Sequence, residues 1–268
     1  MSETRGVLLV GHGTRDNVGT EEFFRLSDRL AERLQGASLV RPCLLEFQQP
    51  DIAAAWDSLM QCGCHEVTVA PLLLFSAGHA KSDIPGEVES ARASSAGGES
   101  VCVRFAKPIT RHAAMINAAR VRLRQTITGG PLADPERTAI VMVGRGSRDV
   151  CASSDMRVLT EVVVAGRVEG RSIADEFSIS RTGLQTTFYA MAEPRLPVTL
   201  DEVAGSGRFD RVIVQPHLLF AGRLYEAIER QVADANAKFP NVRFDVSDYL
   251  GPTDLIAAAL AARIESAV

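Results

Sequence analysis

Residues 7–16 read Val-Leu-Leu-Val-Gly-His-Gly-Thr-Arg-Asp, and residues 140–149 read Ile-Val-Met-Val-Gly-Arg-Gly-Ser-Arg-Asp. Each is a short apolar run that ends in Gly-x-Gly and continues into a hydroxyl residue, an arginine and an aspartate. Such a run reads as a buried strand entering a tight turn. A second echo follows in the same order. Ala-Pro-Leu-Leu-Leu-Phe-Ser-Ala-Gly-His (70–79) returns as Gln-Pro-His-Leu-Leu-Phe-Ala-Gly-Arg (215–223). The offset is 133 residues between Gly11 and Gly144, and 145 between Pro71 and Pro216, so the second copy carries an insertion, placed at 169–183. Two echoes in one order identify a duplicated domain.

The boundary falls in 126–137, Thr-Ile-Thr-Gly-Gly-Pro-Leu-Ala-Asp-Pro-Glu-Arg, where Gly-Gly-Pro and Asp-Pro break helix and strand alike. The expected domains are residues 1–126 and 137–268, joined by a linker at about 127–136. In the first copy the pattern predicts strands at 6–10, 38–47, 66–75 and 100–106. It predicts helices at 20–35, capped by Thr20, and at 51–61, 82–93 and 111–125. Alternating strands and helices make this an α/β chain of two tandem domains, each a parallel β-sheet flanked by helices.

The chain has 268 residues, 46% hydrophobic and 23% charged, with a net charge of −4. That composition suits a globular protein and argues against a nucleic-acid partner, which would want a basic face. No apolar run is long enough to span a membrane, and the N-terminus lacks the features of a signal peptide, so a cytoplasmic location is expected. The five cysteines are an odd number, and none is expected in a disulfide. Cys62 and Cys64 read as a helix end feeding a strand. His65 and His112 read as surface residues at element starts.

In an open parallel sheet, ligands bind beyond the carboxyl ends of the strands. His12, Glu46 and His79 all fall on that rim. Gly11 and Gly13 flank His12, and Gly78 precedes His79, which leaves both imidazoles little to pack against. Two imidazoles and a carboxylate suit a divalent first-row metal, and a set this small can bind an ion and release it. A closed structural zinc site would want four ligands.

Three stretches of the first copy carry a resemblance. They are Gly-His-Gly-Thr-Arg-Asp (11–16), Leu-Glu-Phe-Gln-Gln-Pro-Asp-Ile (45–52) and Pro-Leu-Leu-Leu-Phe-Ser-Ala-Gly-His-Ala-Lys-Ser-Asp-Ile-Pro (71–85). In order and spacing they resemble the sirohydrochlorin cobaltochelatases and ferrochelatases, the class II chelatases of the CbiX and SirB type. The resemblance implies insertion of Co2+ or Fe2+ into sirohydrochlorin, on the route to cobalamin or siroheme. It implies that His12 and His79 form the catalytic, metal-holding pair and that Glu46 is the acidic residue beside them. The implied substrate bears eight carboxylates, for which Arg15, Lys81 and Ser76 are the candidate contacts in the first domain. Arg145, Arg148 and Arg223 are further candidates in the second. No permanently bound cofactor is implied; the metal and the tetrapyrrole are the partners, and the chain is a monomer or a homodimer.

The second copy departs from the pattern. Arg145 stands for His12, Arg223 for His79 and, with Pro194 aligned on Pro50, Ala190 for Glu46. Arginine stays protonated and cannot ligate a metal, so the second domain reads as non-catalytic. His217, in the place of Leu72, reads as packed within the strand end. Three other readings share these residues: a carrier of metal or tetrapyrrole that does not speed insertion, a metal-dependent hydrolase on the same ligands, and a nickel-specific chelatase.

Overall fold

Seven residues of almost continuous apolar character, Arg5–Gly11, form the first strand, and all but Arg5 are buried. A strand buried on both faces must lie inside a sheet covered by helices on both sides, and that is what the computed structural model shows. It describes residues 4–75, 82–130, 134–167 and 170–267. The first repeat runs β1 (Arg5–Gly11), α1 (Asn17–Arg33), β2 (Leu39–Leu44), α2 (Ile52–Gln61), β3 (Glu66–Pro71), α3 (Ile84–Ser94), β4 (Cys102–Phe105) and α4 (Ala113–Gly129). The second runs β5 (Thr138–Gly144), α5 (Val150–Val164), α6 (Ile173–Phe177), β6 (Leu184–Phe188), α7 (Leu196–Gly205), β7 (Arg211–Pro216), α8 (Arg223–Lys238), β8 (Arg243–Val246) and α9 (Asp254–Glu265).

Each repeat makes a four-stranded parallel sheet, in the order β2-β1-β3-β4 and β6-β5-β7-β8. The fold class expected from the alternation is therefore present. In each sheet the chain leaves the central strand to one side and returns to the other. The point of reversal lies between β1 and β3, and again between β5 and β7.

Packing follows the alternation of side chains along a strand. In the first sheet Leu8, Val10, Val67 and Val69 meet Ile52, Trp56 and Leu59 of α2 and Ile84 and Val88 of α3. Trp56 is fully buried, and its indole N–H donates to Ser95 Oγ at 2.9 Å, so the polar atom costs little. In the second sheet Val141, Val143, Val212 and Val214 meet Leu196, Leu200 and Val203 of α7 and Ile228 and Val232 of α8.

The chain packs as two compact units, Met1–Met115 with Pro252–Val268, and Ile116–Gly251. Packing and repeat boundaries differ: the final helix of each repeat sits in the other unit. In the first unit α9 packs on α1 and β3, with Arg29 Nη1 bonded to Asp254 Oδ1 at 2.5 Å. In the second unit α4 is held by buried arginines. Arg120, 3% exposed, donates to the carbonyls of Val162, Val163 and Gly166 at 2.7, 3.0 and 2.6 Å. Val162 and Val163 are among the last carbonyls of α5, which lack partners within their own helix, and Gly166 follows just beyond its end. Arg211, 4% exposed, donates to the carbonyls of Thr126 and Ile127 and to Asp245.

Several boundaries differ from the sequence reading. Helix α1 begins at Asn17, not at 20. Asp16 caps it, its side chain accepting from Gly19 N–H, while the Thr20 hydroxyl donates back to the Asp16 carbonyl. Strand β2 stops at Leu44, so Glu46 lies in the following turn instead of the strand. Helix α4 continues through Gly129, into the stretch read as linker. Gly130 ends it where the Arg211 guanidinium lies against the backbone and leaves no room for a Cβ. The insertion contains α6, closed by a capping box between Ser172 and Asp175. The five cysteines are free thiols; Cys62 caps the end of α2 and Gly63 follows at φ 70°.

Candidate functional site

The turn after β1 gives each of its residues a local task. Val10 carbonyl accepts from Leu72 N–H, Gly11 carbonyl from Leu45 N–H at 3.0 Å, and His12 carbonyl from Glu46 N–H at 3.1 Å. Thr14 Oγ1 accepts from Asp16 N–H at 3.1 Å, and Asp16 then caps α1. The His12 turn is thus tied by backbone hydrogen bonds to the turn after β2, which carries Glu46. Gly13 makes that approach possible. It has φ 93°, and a Cβ there would collide with the Glu46 carbonyl oxygen.

The structure therefore brings His12 and Glu46 together on one rim. His12 is half-buried, and Glu46 and Arg15 are exposed. His79, Ser76 and Lys81 lie outside the described residues. The His12 turn follows β1, and the reversal point of the sheet lies between β1 and β3. Among the described residues no group of three or more His, Cys, Asp or Glu side chains is placed to hold a metal.

One residue the sequence reading did not single out belongs here. Phe47 follows Glu46 at φ 70°, a left-handed backbone that is strained for a large side chain, and it is 53% exposed. The Arg15 guanidinium sits 4.8 Å from the centre of its ring. An exposed aromatic in Leu-Glu-Phe-Gln-Gln was the available signal, but strand alternation assigns it to an ordinary outward position.

Substituting Gly13 with alanine tests the union of the two turns. Left-handed backbone costs a non-glycine residue about 1–2 kcal/mol, and the collision with Glu46 adds to it. Thermal unfolding should show a loss of at least that amount. Unchanged melting would mean that the turns move apart freely.

The second repeat has the same backbone hydrogen bonds between its two turns. Val143 carbonyl accepts from His217 N–H at 2.8 Å, Gly144 from Tyr189 at 2.9 Å, and Arg145 from Ala190 at 2.9 Å. Ser147 Oγ accepts from Asp149 N–H, and Asp149 caps α5. Gly146 has φ 88° and lies against the Ala190 carbonyl, and Met191 repeats the left-handed backbone of Phe47 at φ 59°. Both turns include a cis peptide bond, before Pro50 and before Pro194.

His217 is 1% exposed, as expected for a packed position, and burial pushes its imidazole down to about 4. Because the unfolded chain binds the proton more readily, the full contribution is present above about pH 6.5. It is lost as pH falls from there toward 4, amounting to about 3 kcal/mol at most. His217→Leu should flatten this acid limb of the melting curve; an unchanged limb would assign it to other groups. His65 is exposed. His112 departs from the surface reading: it is half-buried, its Nδ1 accepts from Ala114 N–H at 3.2 Å, and burial with Arg263 nearby lowers its pKa. Among the described residues a hollow of about 290 Å3 lies between α4 and β8, lined by Arg122, Arg243, Asp245 and Asp248. Its charges are mutually paired and it contains no candidate site residue.

Fold and rim together define a tandem α/β protein with an imidazole- and carboxylate-bearing rim in its first repeat and an arginine-bearing copy in its second. The chain belongs to the CbiX family, whose model matches residues 6–126 and 139–267. It is 27% identical to the sirohydrochlorin cobaltochelatase of Priestia megaterium over 92% of this chain and 74% of the relative. It is 28% identical to the sirohydrochlorin ferrochelatase of Bacillus subtilis over 92% of this chain and 85% of that protein. The solved structure of SirB from Bacillus subtilis with Fe3+ superposes with a TM-score of 0.79 at 25% identity, covering 98% of this chain and 94% of the other.

Proposed function

We propose that this chain inserts a divalent metal ion, Co2+ or Fe2+, into sirohydrochlorin. The observation that carries the reading is the His12 turn bonded to the Glu46 turn at the reversal point of the first sheet. It stands in a chain whose relatives over most of its length are sirohydrochlorin chelatases.

Insertion replaces the water shell of the ion with four ring nitrogens and frees two protons from the ring. In its neutral form the His12 imidazole has one ring nitrogen with a lone pair, which either ligates the ion or takes up a proton, but not both at once. A second imidazole, His79, divides the two tasks with it. Glu46, on the turn bonded to His12, orients an imidazole, adds a ligand or accepts a proton. Arg15, Lys81 and Ser76 contact substrate carboxylates, and the exposed Phe47 ring beside Arg15 offers an apolar surface to the flat macrocycle. Residues 1–126 carry the catalytic repeat and 137–268 a non-catalytic one. The metal is a substrate and no resident cofactor is required. No helix among the described residues is long and apolar enough to cross a membrane. The enzyme acts in the cytoplasm as a monomer or homodimer.

The test is insertion itself. Purified protein, sirohydrochlorin and Co2+, Fe2+ or Ni2+, alone and in competition, are followed by the absorbance of the macrocycle against a protein-free control. Acceleration with Co2+ or Fe2+ supports the reading. Binding of both substrates without acceleration would make the chain a carrier, preference for Ni2+ a nickel chelatase, and a tightly held metal in the purified protein would favour a hydrolase.

A further inference from the structure

Phe47 stands on a backbone that its side chain disfavours. It has φ 70°, and Gln48 N–H donates to the Glu46 carbonyl at 2.9 Å, so Phe47 is the middle residue of a left-handed γ-turn. Turns of this hand are rare and strained, and glycine suits them best. The second repeat has the same turn with another side chain. Met191 has φ 59°, and Ala192 N–H donates to the Ala190 carbonyl at 2.8 Å. Each γ-turn hangs from the turn after the central strand, Glu46 N–H on the His12 carbonyl at 3.1 Å and Ala190 N–H on the Arg145 carbonyl at 2.9 Å. The turns, and not their middle residues, set the conformation.

Burial does not offset the strain at Phe47. The residue is 53% exposed, and an aromatic side chain left largely in water contributes little to folding. The Arg15 guanidinium lies 4.8 Å from the ring centre, but at an exposed site such a contact is weak. Strained residues of this kind gather at ligand clamps and active sites. The position fits that role. Phe47 follows Glu46 on the turn bonded to the His12 turn, at the reversal point of the first sheet, where an open parallel sheet takes its ligand.

We infer that Phe47 is the specificity-determining residue for the ring of the substrate. The strained turn holds its side chain out as a stacking platform for one face of a flat conjugated macrocycle. Offset stacking and the covered area favour such a ring, whereas a metal ion or a small acid gains neither. This rests on the proposed substrate and adds what recognises its ring, as distinct from its carboxylates.

Metal-free sirohydrochlorin is titrated into the wild-type chain and into F47A, F47G, F47W and R15A, with absorbance as the readout, at low and moderate salt. Melting curves and Co2+ titrations accompany each. F47A and F47G are expected to raise the Kd about tenfold, and F47W to bind within about threefold of wild type. The loss in F47G should be the same at both salt concentrations, while that in R15A shrinks as salt screens its charge. F47G should melt at or above the wild-type temperature, because glycine relieves the turn. Affinity would then fall while stability does not, a combination that a packing residue would not give. Co2+ binding should stay at the wild-type value.

Wild-type affinity in F47A and F47G would overturn the inference. So would F47W binding as weakly as F47A, or a fall in both melting temperature and affinity in F47G, which would make Phe47 a packing residue. If the wild-type chain binds and metallates sirohydrochlorin and F47G does so equally well, only this inference falls. If the wild-type chain binds sirohydrochlorin through Phe47 without metallating it, the inference stands and the functional reading falls. A wild-type chain that does not bind sirohydrochlorin defeats both.

Discussion

Replacement of His12 by alanine is expected to lower the rate of metal insertion by about two to three orders of magnitude, the range in which a positioned acid–base group acts. The fold should survive, because His12 is half-buried on a turn held by backbone hydrogen bonds to the turn that carries Glu46. His12→Arg should be equally inactive, since it copies the residue that the second repeat already has on an equivalent turn. Initial rates with Co2+ and Fe2+, compared with wild type at matched melting temperature, give the measurement. A kcat within about threefold of wild type would remove His12 from the reaction. His79→Ala is expected to behave in the same way.

The largest effect on stability is expected at Arg211. Its guanidinium is 4% exposed and donates to Asp245 at 2.7 Å, Thr126 carbonyl at 2.9 Å and Ile127 carbonyl at 3.2 Å. Arg211→Ala leaves two α4 carbonyls without these donors. Breaking a buried, hydrogen-bonded charge network costs about 3–5 kcal/mol. Asp245 keeps Arg243 at 2.8 Å, so the lower end applies. In a unit of this size the melting transition should fall by roughly 10 °C. Hydrogen exchange should show the end of α4 opening first. A shift below about 2 °C would mean that water replaces the guanidinium at those carbonyls.

Much of the architecture was legible because it rests on pattern. The apolar runs of β1 and β5, the Gly-x-Gly turns and the repeated Pro-x-Leu-Leu-Phe stretch fix strand identity and duplication, and the alternation fixes the parallel sheets. Edges were less legible. Thr20 and Asp16 are both good helix caps in isolation, and what decides for Asp16 is the Thr14 hydroxyl that orients it. Strand β2 looked longer than it is because Leu45 and Phe47 continue the alternation, while the left-handed backbone at Phe47 turns the chain away. At the rim, the neighbourhood of His12 and Glu46 followed from topology, but the close passage over Gly13 did not. Nor did the exchange of helices, since an amphipathic pattern says which face is buried and not which sheet receives it.

That exchange bears on how the chain can be divided. A polypeptide cut at 126–137 would take α4 away from the strands it braces and leave α9 behind with the wrong half. Each fragment would then expose an uncovered sheet face and an orphaned helix, and would recover its complement only by trading with another molecule. The duplication is thus fastened by reciprocal loan: neither repeat can be lost without bankrupting the structure of the other.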